Sequence, residues 1–265
     1  MKVGIVGFGY VGNAIARYFA QAHQVFVFDK YKTEYSSKSN QDLINQCDIA
    51  FVSVPTATAA DGWKCDLSEL LEVFSWLSVP ACIKSTVPPG TVSRLAKKVS
   101  LPIGFSPEFI GESEGHEWNE IDSCGFTIIS GPDPVVALFT EAYRSVNQNI
   151  TIVATSSIMA ELCKYMENSF LATKVAFVNQ FYDIAIAYGV DFTELASLWA
   201  LDPRVGKSHC RVTPERGFGG KCLPKDIRAI IAAVSGQANT ALLDAVVDYN
   251  EQIRAHSEAT LHVKL

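Results

Sequence analysis

The sequence KVGIVGFGYVG at residues 2–12 decides the fold of the N-terminal half of the chain. It begins as a short apolar run typical of a buried strand and continues as the glycine pattern GxGxxG. A helical pattern follows at about residues 13–21, and a second apolar run at residues 25–28 ends at Asp29. A strand, a glycine turn, a helix, a second strand and an acidic residue about 20 positions on together predict a dinucleotide-binding unit.

This unit predicts which residues hold the dinucleotide. Glycines let the backbone approach a pyrophosphate at the helix N-terminus, where free amide groups favour anions. Asp29 should accept hydrogen bonds from the adenosine ribose and repel a 2′-phosphate, which favours NAD over NADP, although Lys30 beside it carries the opposite charge. The predicted contacts are Gly7, Gly9, Tyr10, Val11, Gly12 and Asp29.

Short apolar segments alternate with helical patterns up to about residue 154. The segments lie at residues 48–55, around 83, and at 102–105, 126–131 and 150–153. The helical patterns lie at about 66–78, 91–99 and 134–146. This alternation predicts an α/β fold, a Rossmann-type doubly wound and mostly parallel sheet with helices on both faces. Ligands bind beyond the carboxyl ends of such strands, where Pro55, Thr56, Thr86 and Glu108 follow directly.

The composition changes near residue 155, so we place a boundary between a dinucleotide-binding domain at 1–154 and a helical domain at 155–265. Apolar residues recur with helical spacing from an N-cap at 155–157 to about Tyr188, and Gly189 supplies the stop. So long a helix is typical of a domain spine or a dimer seam. Lys164 and Asn168 are four residues apart and share one helical face.

The sequence GFGGKCLPKD at residues 217–226 contains the candidate nucleophile. Its glycines permit close approach to a bulky ligand, and Lys221 and Lys225 flank Cys222. Nearby positive charge favours the thiolate, which is the nucleophilic form. The alternative is a glycine-rich turn that holds a structural cysteine. Pro224 should stop any helix that began earlier, so we expect a new helix to start at Lys225.

Composition and charge argue against several classes of function. The net charge of −6 disfavours nucleic acid or an anionic membrane as partner, and no apolar run approaches the roughly 18 residues of a membrane span. The N-terminus enters a strand directly and shows no signal peptide. Seven scattered cysteines without a CxxC pair suggest neither a disulfide framework nor a zinc site. We therefore expect a cytoplasmic protein without a metal, a nucleic-acid partner or a membrane partner.

Five motifs in order resemble the UDP-glucose/GDP-mannose 6-dehydrogenase family of nucleotide-sugar dehydrogenases. They are GFGYVG, STVPPGT, SPEFIGE, ELCKYMEN and GFGGKCLPKD, and the resemblance covers residues 1 to about 254. It implies two NAD-dependent oxidations of the C6 alcohol of a nucleotide sugar, UDP-glucose to UDP-glucuronate, as in polysaccharide biosynthesis. It also implies a Cys222 hemithioacetal and thioester, and a homodimer joined through the long helix.

The resemblance implies a role for each matching residue. Cys222 would be the nucleophile, Lys164 and Asn168 would stabilise the oxyanion and hold a water, and Asp226 would bond that water and the lysine. Glu108 would serve as base in hydrolysis. The implied cofactor contacts outside the first unit are Thr86, Glu112 and Lys225, with Thr86 also counted as catalytic. We expect Pro55 and Thr56 to join them because they directly follow a predicted strand. The implied substrate contacts are Glu108, Phe109, Ile110, Lys164, Asn168, Arg204, Phe218 and Gly219, with Arg204 reaching the substrate of a neighbouring subunit.

The family carries a third, nucleotide-binding domain after its central helices, and we expect it to be absent because the sequence stops at Leu265. Losing remote binding energy should raise KM and could lower kcat. Two alternatives follow: an NAD-dependent dehydrogenase of a smaller, non-nucleotide alcohol, or a non-catalytic NAD-binding subunit whose motifs are relics. Turnover of UDP- or GDP-sugars that depends on Cys222 separates the first hypothesis from both.

Overall fold

The computed structural model describes residues 1–111 and 120–262. The chain forms two compact units: Met1–Ala57 with Cys65–Lys164, and Thr58–Lys64 with the chain from Tyr165 onward. The division between them falls inside a long helix, whereas the sequence predicts a boundary between residues 154 and 155. Each unit is described by itself below.

The first unit is built on a seven-stranded sheet in the order β2-β1-β3-β4-β5-β6-β7. The strands are β1 (Lys2–Val6), β2 (Gln24–Phe28), β3 (Ile49–Val52), β4 (Ala81–Ile83), β5 (Ile103–Phe105), β6 (Phe126–Ser130) and β7 (Thr151–Thr155). Strand pairs are parallel except β5 with β6, which meet antiparallel at Phe105 and Ser130. The predicted α/β class with a mostly parallel sheet is confirmed. The reversal at β6 was not predicted.

Helices cover both faces of this sheet. They are α1 (Tyr10–Phe19), α2 (Lys38–Ile44), α3 (Ser68–Trp76), α4 (Thr91–Ala96), α5 (Asp133–Val146) and the start of α6 (Ser157–Ala187), with a 3-10 turn at Ile121–Cys124. Alternate strand residues enter two apolar clusters, because successive side chains point to opposite faces. Val3 and Ile5 pack in the cluster that contains Phe19 and Phe139, whereas Val6 packs in the cluster that contains Leu70.

The second unit is helical. Its elements are the remainder of α6, α7 (Phe192–Trp199), α8 (Leu223–Ala233) and α9 (Ala241–His262). Its core joins Ala172 and Val175 of α6, Ile227 of α8 and Val247 of α9. Phe218 lies in the same core, so the glycine-rich loop before α8 is held by its aromatic side chain.

Two helix starts differ from the sequence prediction. Helix α1 begins at Tyr10 rather than about Asn13, so Gly12 lies inside the helix. Helix α8 begins at Leu223, ahead of Pro224, whereas the sequence suggested a start at Lys225. Proline is tolerated there because the first N–H groups of a helix have no intrahelical partner.

Within the described residues, none of the helices combines the length and the apolar character that a membrane crossing requires. The same part of the chain contains no cluster of three or more His, Cys, Asp or Glu side chains that could bind a metal ion.

Candidate active site

The glycine turn after β1 has the geometry that a dinucleotide requires. Gly7 has φ of +86°, and a Cβ there would lie 2.6 Å from the Ser53 carbonyl oxygen. A Cβ on Gly12 would lie 1.9 Å from the Gly7 carbonyl oxygen, so only glycine permits α1 to pack this closely on β1. A Cβ on Gly9 would meet nothing within 4 Å, which leaves the helix N-terminus open for a ligand. In dinucleotide-binding folds the three glycines have these separate roles: one forms the tight turn, one leaves room for the pyrophosphate, and one allows the helix to pack closely on the strand.

Asp29 is fixed at the end of β2 by the turn itself. Its Oδ2 accepts a hydrogen bond from the Phe8 N–H at 2.7 Å, and its Oδ1 accepts one from the Tyr31 N–H at 2.8 Å. The carboxylate lines an open cleft together with Gly7, Lys30, Tyr31 and Pro55. The turn, the acidic residue and the cleft therefore fit the adenosine and pyrophosphate parts of a dinucleotide.

The other predicted cofactor residues fall into three situations. Thr56 and Thr86 are brought together, since Thr56 Oγ1 donates to the Thr86 carbonyl oxygen at 2.9 Å. Tyr10 and Val11 form the first turn of α1, with Tyr10 exposed and Val11 half-buried. Glu112 lies outside the described residues.

Glu108 is held by a buried lysine that the sequence analysis missed. Lys84 Nζ lies 3.0 Å from Glu108 Oε2, with side chains 1% and 10% exposed. Lys84 also donates to Ser106 Oγ at 3.0 Å. Glu108 Oε1 accepts the backbone N–H groups of Phe109 and Ile110 at 2.9 and 3.3 Å. Both carboxylate oxygens are thus occupied, and the carboxylate has one fixed orientation.

The charge on Lys84 is stabilised by this arrangement. Burial lowers the pKa of Lys84, but the adjacent Glu108 carboxylate outweighs burial and raises that pKa above its ordinary value. The Tyr143 hydroxyl lies 3.4 Å from Lys84 Nζ, and burial raises the pKa of Tyr143. Lys84 and Glu108 therefore form an ion pair inside the first unit.

Lys164 lies against one of the predicted substrate contacts. Its Nζ is 5.0 Å from the centre of the Phe109 ring, which is within the range of a cation–π contact. Phe109 also packs against Phe126. Ile110, predicted to touch substrate, is buried in the core with 8% exposure. The contact with Phe109 therefore places Lys164 next to the SPEF segment, in which Glu108 directly precedes Phe109.

Cys222 is the N-cap residue of α8. Its carbonyl oxygen accepts the Asp226 N–H at 2.9 Å, which closes the first turn of the helix. The side chain is half-buried. Helix N-termini and nearby cations both favour a thiolate, so the position suits a nucleophile for reasons beyond the two lysines.

Asn168 and Asp226 form a buried pair in the second unit. Asn168 Nδ2 donates to Asp226 Oδ2 at 2.6 Å, and both residues are at least 95% buried. Lys225 Nζ forms an ion pair with the other oxygen, Asp226 Oδ1. Lys225, for which the resemblance implies a cofactor contact, is therefore engaged within its own helix. The pair links α6 to the helix that carries Cys222.

Arg204 is highly exposed, consistent with a position on the surface of the second unit. Its side chain is 88% exposed, and among the described residues it forms an ion pair with Asp202 at 2.5 Å. The loop that carries it is held by Lys174, whose Nζ donates to the carbonyl oxygens of Val205 and Gly206 at 2.9 and 3.0 Å. The loop is thereby anchored to α6 while the arginine projects from it.

Two buried asparagines anchor the loop that leads to Cys222. Asn179 Oδ1 accepts the Gly217 N–H at 3.1 Å and Arg216 Nε–H at 2.9 Å. Asn250 Oδ1 accepts the Phe218 N–H at 2.7 Å, and its Nδ2 donates to the Phe218 carbonyl at 3.0 Å. A Cβ on Gly217 would lie 2.3 Å from Asn250 Oδ1, which explains the glycine.

The remaining predicted contacts of this loop differ in exposure. Phe218 is 4% exposed and its ring belongs to the core. Gly219 approaches Arg254, since a Cβ there would lie 2.9 Å from Arg254 Nη1. Their assignment as substrate contacts stays a prediction.

The substitution Asn179→Leu is expected to destabilise the protein by about 1–3 kcal/mol, because it leaves two partly buried donors of the loop without their acceptor. Amide hydrogen exchange at Gly217 should become faster. Asn179→Asp keeps an acceptor oxygen and should lose less than half as much. Urea unfolding and exchange mass spectrometry measure both effects.

The control is Thr173→Val on the same helix, which removes only a bond within α6, from Thr173 Oγ1 to the Ser169 carbonyl oxygen. Unchanged exchange at Gly217 in Asn179→Leu would show that the asparagine does not anchor the loop.

Comparisons with known proteins agree with these observations. Residues 159–252 match the central domain of the UDP-glucose/GDP-mannose dehydrogenase family. The UDP-glucose 6-dehydrogenase of Rickettsia bellii is 30% identical over 258 residues, which cover 89% of this chain and 55% of that protein. The chain spans about half the length of several curated relatives of this kind.

Solved structures show the same fold. A UDP-glucose dehydrogenase from Pyrobaculum islandicum superposes with a TM-score of 0.79 at 25% identity, covering 95% of this chain and 68% of that one. A GDP-mannose dehydrogenase from Pseudomonas aeruginosa gives a TM-score of 0.64 at 26% identity, covering 95% and 69%. The chain is therefore similar in sequence and fold to the UDP-glucose/GDP-mannose dehydrogenases, and residues 159–252 match the model of that family's central domain.

Proposed function

We propose that this chain catalyses the NAD-dependent, two-step oxidation of the C6 alcohol of a nucleotide sugar to a carboxylate, with UDP-glucose as substrate. The observation that carries the proposal is the setting of Cys222. It is the N-cap residue of α8, and that helix is tied to α6 through the buried pair of Asp226 and Asn168. Similar proteins that act on UDP-glucose or GDP-mannose support the substrate class.

The residues proposed to hold NAD are Gly7, Gly9, Gly12 and Asp29, for the geometric reasons given above. NAD, when bound, would accept the hydride released in each of the two oxidations. Thr86, bonded through its carbonyl oxygen to Thr56, is proposed to lie near the nicotinamide.

Cys222 is proposed to make the second oxidation possible. The thiolate sulfur forms a bond to the C6 carbonyl carbon of the intermediate aldehyde, which gives a hemithioacetal. Loss of hydride from that carbon gives a thioester. Water then attacks the thioester, the carbon–sulfur bond breaks, and Cys222 leaves as thiolate. The sum is one alcohol, one water and two oxidant molecules converted to one carboxylate, two reduced cofactors and three protons.

Each tetrahedral species carries an oxyanion, for which Lys164 and Asn168 are the proposed donors. They lie four residues apart on α6, and Asn168 donates one of its two amide N–H groups to Asp226, which fixes the plane of the amide. A single oxyanion donor contributes about 10²–10³ in kcat. Glu108, fixed by Lys84, is proposed to orient the attacking water.

The test of this proposal is NADH formation by the full chain against a panel of UDP- and GDP-sugars. The proposal predicts two NADH per molecule of sugar acid, with UDP-glucose the best substrate. One NADH per product, or activity on non-nucleotide alcohols alone, would contradict it.

A homodimer through α6 is part of the proposal. Apolar side chains at helical spacing are exposed on this helix in the single chain: Met166, Phe170, Phe177, Phe181 and Ile184. Exposed apolar stripes of this kind mark protein interfaces. Sedimentation should give twice the chain mass of 28.9 kDa, and a monomer at assay concentration would contradict the dimer.

A further inference from the structure

Lys30 poses a chemical question that the dinucleotide motif leaves open. It follows Asp29 directly, at the place where the adenosine ribose of a bound dinucleotide is recognised. An acidic residue there repels a 2′-phosphate, whereas a free basic side chain nearby would attract it. Whether the cleft prefers a dinucleotide with or without a 2′-phosphate therefore depends on where the ammonium group of Lys30 is held.

The ammonium group of Lys30 is held by two carboxylates of α3. Its Nζ lies 2.6 Å from Glu69 Oε2 and 2.7 Å from Glu72 Oε2. Glu69 and Glu72 are three residues apart and share one face of the helix. Tyr31 donates its hydroxyl to the other oxygen, Glu69 Oε1, at 2.6 Å, which fixes that carboxylate.

The clamp formed by Lys30, Glu69 and Glu72 is partly sheltered from water. The side chains of Lys30 and Glu69 are 32% and 23% exposed, whereas that of Glu72 is 56% exposed. The hydrogen bonds to the two glutamates raise the pKa of Lys30 and keep it charged. Glu69 should therefore contribute more to the clamp than Glu72, since exposed pairs are screened.

All three clamp residues line the cleft that contains Asp29. The cleft lining contains three carboxylates, from Asp29, Glu69 and Glu72, and one ammonium group, from Lys30, so its formal charge is −2. An additional phosphate at the ribose 2′ position would meet net negative charge and a lysine whose charge is already neutralised.

We propose that Glu69 and Glu72 are specificity-determining residues that hold Lys30 away from the ribose 2′ position and thereby exclude 2′-phosphorylated dinucleotides. The inference rests on the proposed binding of NAD. It concerns binding alone and does not depend on turnover.

The test is calorimetric titration of the full chain with NAD⁺ and with NADP⁺, which differ only in the 2′-phosphate. In Glu69→Gln with Glu72→Gln, NADP⁺ should bind at least about tenfold more tightly than in the wild type, because one charge-assisted hydrogen bond from released Lys30 is of that size. NAD⁺ affinity should change by less than about threefold, since its contacts with Asp29 remain.

Removing two carboxylates also weakens the repulsion of any phosphate by the cleft. Adding Lys30→Met to the double variant therefore distinguishes attraction of the 2′-phosphate by Lys30 from this general loss of negative charge. The triple variant should regain most of the lost discrimination. The control Asp42→Asn breaks the exposed Lys38–Asp42 pair, whose residues are not among those lining the cleft, and should leave both affinities unchanged.

An unchanged ratio of NADP⁺ to NAD⁺ affinity in the double variant would overturn the inference. An equal gain of NADP⁺ affinity in the triple variant would also overturn it, because Lys30 would then play no part. In both cases NAD⁺ binding would remain and the proposed function would stand. Absence of NAD⁺ binding by the wild type would overturn the inference together with the proposed cofactor.

Discussion

Replacing Cys222 with alanine should abolish formation of the sugar acid, with kcat falling by at least about three orders of magnitude. The reason is chemical: without a thiolate at the N-terminus of α8, the aldehyde cannot become a hemithioacetal, and the second oxidation has no substrate. Any residual turnover should stop at the aldehyde and yield one NADH per product rather than two. A coupled measurement of NADH and product by mass spectrometry reads both quantities.

The matched control is Cys124→Ala, another half-buried cysteine, which lies in the 3-10 turn of the first unit. This variant should still form two NADH per molecule of sugar acid, as the wild type should. Sugar acid produced at the wild-type rate by Cys222→Ala would remove the cysteine from the mechanism.

Replacing Lys84 with methionine should lower the free energy of unfolding by about 3–5 kcal/mol, because the Glu108 carboxylate would remain buried without its partner. The double variant with Glu108→Gln should recover at least half of that loss, since it leaves no uncompensated charge and keeps an acceptor for the Phe109 N–H. Urea unfolding of the wild type and both variants measures the effect.

The pH dependence of this effect follows from the raised pKa of Lys84. Because its folded-state pKa lies above its ordinary value of 10.5, the stabilisation is fully present below pH 10.5 and is lost as the pH rises through the folded-state pKa. The free energy of unfolding lost in Lys84→Met should therefore be equal at about pH 6 and about pH 9.

The control is Lys38→Met, which breaks only an exposed pair with Asp42 and should lower the free energy of unfolding by less than about 1 kcal/mol. An equal loss in the two single variants would contradict the account of Lys84.

The fold was largely predictable because its signals are local. The glycine turn and Asp29 predicted the first βαβ unit, and the long apolar period predicted α6. The antiparallel pairing of β5 with β6 could not be predicted in the same way, because strand direction is decided by pairing between distant segments rather than by local sequence pattern. The start of α8 was placed too late because Pro224 was read as a stop, although the first turn of a helix tolerates proline.

The residues that position the site are harder to predict from the sequence than the residues proposed to take part in the chemistry. Cys222 stands out by its glycines and lysines, whereas Asn179 and Asn250 are ordinary asparagines until their loop partners are known. One signal existed for Asn179: it lies on the buried side of α6 with Ala172, Val175 and Ala176, where a polar residue needs a partner. Lys84 gave a similar signal, as a lysine directly after a buried strand. The sequence shows that such residues need partners but not which partners they have.

The most direct test of the proposed chemistry is the mass of the protein quenched during turnover with NAD⁺ and UDP-glucose. We predict a covalent thioester on the peptide that contains Cys222 and none on Cys47 or Cys82, for which burial raises the thiol pKa to about 11 and about 12. The adduct should disappear with hydroxylamine and be absent from Cys222→Ala. Turnover to the sugar acid with no adduct on Cys222 at any quench time, or an adduct on another cysteine, would contradict the account.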